Sequence, residues 1–181
     1  MRTHLFGALI VLIGLPAAAT AQPRMPHAEA NAAGADVGVF VPRETGVSTG
    51  PAIDGFYEHY LTARDSVRLV VGWANPKQEA DNANTMRQIR VGGDLVHNWE
   101  GGAVHPFVGA GLGVYFLQPR TNGVNQGSRA TKLGGDILGG AEFFTSKTFA
   151  VKGEARYHIV TKSGAYDPSG LELTIGVKSY F

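Results

Sequence analysis

The chain contains no cysteine among its 181 residues. Disulfide staples, thiolate metal centres and thiol redox chemistry are therefore excluded. Neither sign of charge predominates, with 16 Lys and Arg against 15 Asp and Glu, so composition points to neither nucleic acid nor an anionic surface as a partner. Beyond an apolar run from Leu5 to Leu15, no stretch approaches the roughly 18 apolar residues that mark a membrane helix. No segment has the helical period of 3.6 residues, and no internal repeat is visible.

The N-terminus carries Arg2 and His4, the apolar run, a break at Pro16 and the sequence Ala19-Thr20-Ala21. This is the pattern of a secretory signal peptide over residues 1–21, with a core too short to span a bilayer. The expected mature chain starts at Gln22, and loss of Arg2 leaves 15 basic against 15 acidic residues. Residues 22–35, rich in Ala with Pro23 and Pro26, read as a flexible lead-in. The remainder, 36–181, is of a size for one domain.

Eight strand-like runs follow, at about 36–41, 52–61, 66–74, 86–99, 104–117, 131–144, 149–160 and 170–181. Their connections alternate in length. Pro42–Pro51, Asn75–Thr85, Gln118–Ala130 and Thr161–Ser169 are long and polar, whereas Thr62–Asp65, Glu100–Ala103 and Thr145–Thr148 are tight turns. An even strand count with long loops on one rim and short turns on the other is the layout of an up-and-down outer-membrane barrel, whose short turns face the periplasm. Such a chain must cross an inner membrane without stopping, which a long apolar helix prevents and alternating strands do not.

Within the runs, apolar and polar residues alternate. In the last, Leu171, Leu173, Ile175, Val177 and Phe181 share one face, against Glu172, Thr174, Lys178 and Tyr180 on the other. In the seventh, Val151, Ala155, Tyr157 and Ile159 oppose Lys152, Glu154, Arg156 and His158; in the fourth, Ile89, Val91, Leu95 and Trp99 oppose Gln88, Arg90, Asp94 and Asn98. A row of ionisable side chains cannot face lipid, where Arg or Lys costs about 2–4 kcal/mol near the midplane. Periodicity alone equally allows a soluble lipocalin-like carrier with the apolar face inward. The aromatic terminus, the alternating connections, and Tyr57, Trp73, Trp99, Phe116, Phe143, Phe149 and Phe181 near strand ends on the apolar parity favour a membrane barrel.

The stretch His105-Pro106-Phe107-Val108-Gly109-Ala110-Gly111-Leu112-Gly113, the eight-run layout and the terminal Tyr180-Phe181 resemble the outer-membrane β-barrel domain family, small eight-stranded barrels of the OmpA and OmpX type. The resemblance covers about 36–181 and implies an all-β, antiparallel, eight-stranded transmembrane barrel in a bacterial outer membrane. It also implies that the terminal strand, through Leu173, Ile175, Val177 and Phe181, is read by the barrel-insertion machinery. Ser179 stands where such strands commonly carry an aromatic residue.

By parity the expected lumen holds Asp54, Glu58, Asp94, Asp136, Glu142, Glu154 and Glu172 against Arg68, Arg90, Lys132, Lys152, Arg156 and Lys178, with His158 alongside. Near balance predicts a salt-bridged filling, because buried charges are tolerated when paired, and an eight-stranded barrel is only wide enough for side chains. An ion or proton path is the functional alternative for the same residues. Gly109, Gly111 and Gly113 mimic a phosphate loop, but a strand follows them where such loops open a helix; they are expected to make room for side chains such as Arg90, Glu142 or Arg156.

Catalysis finds little support. Glu154 and His158 lie four residues apart on one strand face, about 13 Å, and no histidine is followed two residues later by Ser, the signature of lipid A deacylases. Glu79 and Asp81 are acids of a loop, read as solvated. The expectation is therefore a non-enzymatic, monomeric barrel without cofactor or metal, surrounded by outer-membrane lipid including lipopolysaccharide, whose four long loops serve surface interaction or envelope integrity. A lipid A-modifying barrel enzyme and the lipocalin-like carrier are the alternatives.

Overall fold

A computed structural model describes residues 26–81 and 83–181; the expected signal peptide and residues 22–25 lie outside the described residues. Eight strands form the barrel: β1 (Asn31–Pro42), β2 (Gly50–Tyr60), β3 (Asp65–Ala74), β4 (Asn84–Asn98), β5 (Val104–Thr121), β6 (Ala130–Phe144), β7 (Phe149–Val160) and β8 (Gly170–Tyr180). Each pairs antiparallel with its sequence neighbours, and β8 returns to β1 with Ala32 opposite Tyr180 and Pro42 opposite Gly170. The sheet is closed. Closure removes free edges, so backbone groups facing the hydrocarbon find partners within the strands.

The apolar face points outward. Leu112 is 77% exposed and Leu133 69%, while Arg68, Glu58 and Lys178 on the opposite face are fully buried. Side chains alternate because successive strand residues point to opposite faces, and this orientation overturns the lipocalin-like alternative, which needs the apolar face inside.

The largest departures from the expected boundaries fall at the start of β1 and on the loop side of β4 and β5. β1 begins at Asn31, inside the segment read as a flexible lead-in, and Ala32 is fully buried. Small residues are required there. Ala30, Ala32 and Ala150 pack against Tyr60, Phe144 and Tyr180 to close the turn end of the lumen, and a Cβ on Gly34 would run into the Phe56 ring. An alanine-rich run that looks unstructured in isolation is thus the small-residue wall opposite large rings. On the other rim β4 and β5 pair as far as Asn84 with Thr121, extending beyond their expected ends at 86 and 117 because Thr85 and Arg120 continue the ladder outside the apolar band.

The turns have local causes. Thr62 Oγ1 accepts from the amides of Arg64 (3.0 Å) and Asp65 (2.9 Å), closing β2 onto β3. Gly102 takes φ 73° in the β4–β5 turn, a conformation open to glycine at little cost. On the opposite rim, Val47–Ser48 of the first long loop pairs with Lys77–Gln78 of the second, and Val124–Asn125 folds back on Arg120 and Thr121.

Candidate functional site

The inward faces of the strands place Asp54, Glu58, Arg68, Arg90, Asp94, Asp136, Glu142, Lys152, Glu154, Arg156, His158, Glu172 and Lys178 in the lumen, all buried. They form stacked layers. Nearest the short turns, Lys178 Nζ donates to Glu142 (2.7 Å) and to the Tyr60 hydroxyl (2.8 Å) and lies 2.8 Å from Glu58, while the Tyr180 hydroxyl donates to Glu142. In the next layer Arg68 bridges Glu58 (2.9 Å) and Glu154 (2.7 Å), and Lys152 contacts Glu154 (2.8 Å) and Asp36 (2.9 Å). The Phe56 and Phe107 rings lie 5.0 and 5.4 Å from the Arg68 guanidinium, supplying cation–π contact in a dry layer.

Above this, Arg156 joins three acids, Glu154 (2.8 Å), Asp94 (2.9 Å) and Asp136 (2.6 Å), and Arg90 shares Asp136 at 2.8 Å. Closest to the long loops, His158 hydrogen-bonds Tyr115 (3.0 Å) and lies 3.4 Å from Glu172. Here Asp54, Glu172, Arg90 and His158 line a cavity of about 20 Å³, a volume for one water molecule. Tyr115, Leu117 and Val160, with Met86 and Tyr166 against them, roof the lumen. Tyr166 comes from the last long loop, donates no proton to Gln88 but accepts from its amide at 3.1 Å, and burial pushes its phenol up to about 12.

The expected near balance of charge is corrected. Among the described residues, eight buried carboxyl side chains meet five buried Lys and Arg. Lys132 is only half-buried at the mouth, and Asp36, absent from the expected set, is buried against Lys152. The position of Asp36 follows the parity of β1, which alternates Val37, Val39 and Val41 outward with Asp36 inward.

Gly109, Gly111 and Gly113 line the lumen side of β5, where a Cβ would collide with Leu138, with the Asp94 carboxylate and with the backbone of Val91 respectively. They are packing positions, and the side chains they accommodate are Asp94, Leu138 and Arg90 rather than Glu142 or Arg156.

His59, His97 and His105 lie apart toward the turn rim, bonded to Asn31 (2.9 Å), Asp65 (2.7 Å) and the Gly102 carbonyl (3.1 Å). Asp81 accepts from the Ala83 amide (2.9 Å) and from Asn84 (3.1 Å), an ordinary loop cap, and no metal-binding cluster of acids or histidines occurs among the described residues.

Outward, Leu173, Ile175 and Val177 of β8 are exposed, and Phe181 is 71% exposed beside the seam, its amide donating to the Asn31 carbonyl at 2.8 Å. Tyr57, Trp99, Phe143, Phe149 and Phe181 gather toward the turn rim, with Trp73 and Phe116 toward the loop rim. Aromatic rings bounding an apolar band are the interface girdles of a membrane barrel.

A closed antiparallel barrel with an apolar exterior and a charged, filled interior is a transmembrane β-barrel. Residues 6–181 match the family model of the outer membrane protein β-barrel domain, and the chain belongs to that family. Among solved structures it is similar to Neisserial surface protein A (TM-score 0.69, 16% identity, 85% of this chain and 98% of that one). It is also similar to OprG from Pseudomonas aeruginosa (TM-score 0.67, 11% identity, 88% and 99%) and to Ail, the attachment invasion locus protein of Yersinia pestis (TM-score 0.58, 14% identity, 86% and 100%). No curated protein sequence matches the chain significantly.

Proposed function

We propose that the protein is a non-enzymatic, monomeric outer-membrane scaffold, exported by its signal peptide, that presents four loops at the cell surface over a lumen closed to ions. The observation carrying this reading is the stack of ion pairs across the lumen, with the Arg68–Glu154 contact joining β3 and β7 at 2.7 Å. A filled interior leaves the loops as the working surface, and loops on a rigid scaffold are where recognition resides. Long loops outward and short turns in the periplasm follow from the family layout.

Planar-bilayer recording of the purified monomer tests the closed lumen: silence is expected, and reproducible open steps that change when Arg90 or Arg156 is neutralised overturn it. Replacing residues 43–49, 75–83, 122–129 and 161–169 by short turns tests the loops. The shortened barrel should still insert and keep its heat-modifiable gel mobility while cells lose adherence or resistance to detergent. Unchanged cells on both counts would remove the surface role.

A further inference from the structure

We propose that Lys77, Arg87, Arg120 and Arg129 form a docking site for the phosphorylated sugar headgroup of an outer-leaflet glycolipid, on the side of the barrel rather than at its mouth. The register carries the placement. On β4 the outward positions run Leu95, Gly93, Val91, Ile89, then Arg87 and Thr85; on β5 they run Leu112, Val114, Phe116, then Gln118 and Arg120. Lys77 pairs directly with Thr85, which pairs with Arg120, so these residues share one face. Arg129 lies with its guanidinium 4.8 Å from the ring of Phe116, a member of the outward apolar set.

The cations therefore stand directly above a wall of lipid-facing residues. Four residues from Phe116 to Arg120, in a tilted strand rising about 3.3 Å per residue, amount to roughly 10 Å beyond the last apolar ring. That is headgroup depth. A soluble acidic partner would meet cations at the mouth, whereas these point sideways, where the neighbouring molecules are lipids.

Among the described residues no salt bridge neutralises the charge on this face: the nearby loop acids Glu79 and Asp81 pair with none of the four cations, and Asp81 is engaged by the Ala83 amide and Asn84. No Asp or Glu occupies an outward position of β4, β5 or β6. Among the described residues none of the four cations is ion-paired, and the Nε atoms of Arg87 and Arg120 are buried without a hydrogen-bond partner. On the opposite rim Arg64 is held by Glu100 at 3.5 Å, with Glu29 and Asp65 nearby in the turns and terminus. Arginine forks match phosphate oxygens bidentately, and the asymmetry between rims fits an outer leaflet rich in phosphate.

The inference rests on the long loops facing outward; protease or label access to the loops on intact cells reads that orientation separately. Binding itself is measured on the purified mature protein in neutral micelles, titrated with bisphosphorylated lipid A or with its dephosphorylated form. The phosphorylated lipid should raise the unfolding temperature and the dephosphorylated one should not. R87Q/R120Q/R129Q should weaken the apparent affinity on the order of a hundredfold, from about fivefold per cation near a charged surface. R129Q alone, on an exposed residue, should give a smaller loss in the same direction if the triple variant fails to fold. Equal shifts with both lipids, undiminished binding in the variants, or preference for a soluble sulfated oligosaccharide over lipid A would overturn the proposal.

Discussion

Arg68 on β3 and Glu154 on β7 meet at 2.7 Å although three strands separate them in either direction around the barrel. One guanidinium thereby ties opposite walls, with Glu58 as its second partner. Removing it takes a cation from two buried carboxylates, leaving Glu58 to Lys178 and Glu154 to Lys152 and Arg156, and empties a buried side-chain volume. R68M should destabilise the barrel by about 3–5 kcal/mol, the cost typical of breaking a buried pair on one side, while R68M/E58Q/E154Q should recover part of that loss. Urea unfolding in lipid vesicles, followed by heat-modifiable mobility, measures both; equal stability of R68M and wild type would show that the contact carries no weight.

The two faces should fail differently. Ile137 and Leu112 are outward and exposed near the middle of β6 and β5, so I137R or L112R should cost about 2–4 kcal/mol in lipid and impair insertion. D136N leaves insertion possible but deprives Arg90 and Arg156 of a charged partner, so it should insert and unfold earlier. Identical behaviour of inward and outward variants in a refolding assay would contradict the orientation.

Phe181 contributes a backbone pairing with Asn31 and an exposed ring. Its deletion should lower the amount inserted in cells far more than the stability of protein refolded in detergent. Normal outer-membrane levels of the deletion variant would remove the assembly role that the terminal strand is expected to have.

Acid should loosen the last long loop. Asp167 accepts from the Ser169 amide at 3.0 Å, and Ser169 in turn stitches Val160 through its hydroxyl. Its hydrogen bonds with Ser169 hold the Asp167 carboxyl below the usual range. A lowered folded-state value means that the clasp is fully present above the ordinary carboxylate range and fades as pH falls through the lowered value. Exchange of the Ser169 amide, corrected for its intrinsic pH dependence, should therefore accelerate on acidification, and D167N should show the fast behaviour already at neutral pH. A pH-independent corrected rate would dismiss the clasp.

What was legible in the chain followed from the period of two. Every inward charge of β7, from Lys152 to His158, and every outward residue of β8 could be assigned by counting, because a one-residue slip would exchange lipid and lumen faces. Less was legible where the deciding partner is distant in sequence. The alanines at 30 and 32 gain their meaning from Tyr60, Phe144 and Tyr180, and Asp36 from Lys152. The lumen pairings themselves depend on which strands stand opposite one another, which alternation along a single strand does not encode. Arg120 reads as a loop residue from sequence because Gln118 and Arg120 follow no apolar–polar alternation once the chain leaves the hydrocarbon, and only the register with Thr85 places it on the face that Arg87 shares.

The seam between β1 and β8 joins segments well over a hundred residues apart, from Ala32 with Tyr180 to Pro42 with Gly170. Loop-closure entropy grows with such separation, and non-local pairings of this kind make folding slow. Until β8 arrives, β1 presents a row of unpaired amides and carbonyls, a template for pairing with another chain. The architecture that leaves the finished barrel without edges thus gives its unfinished form a long-lived one, and the aggregation risk of this protein is concentrated in the interval before its last strand docks on its first.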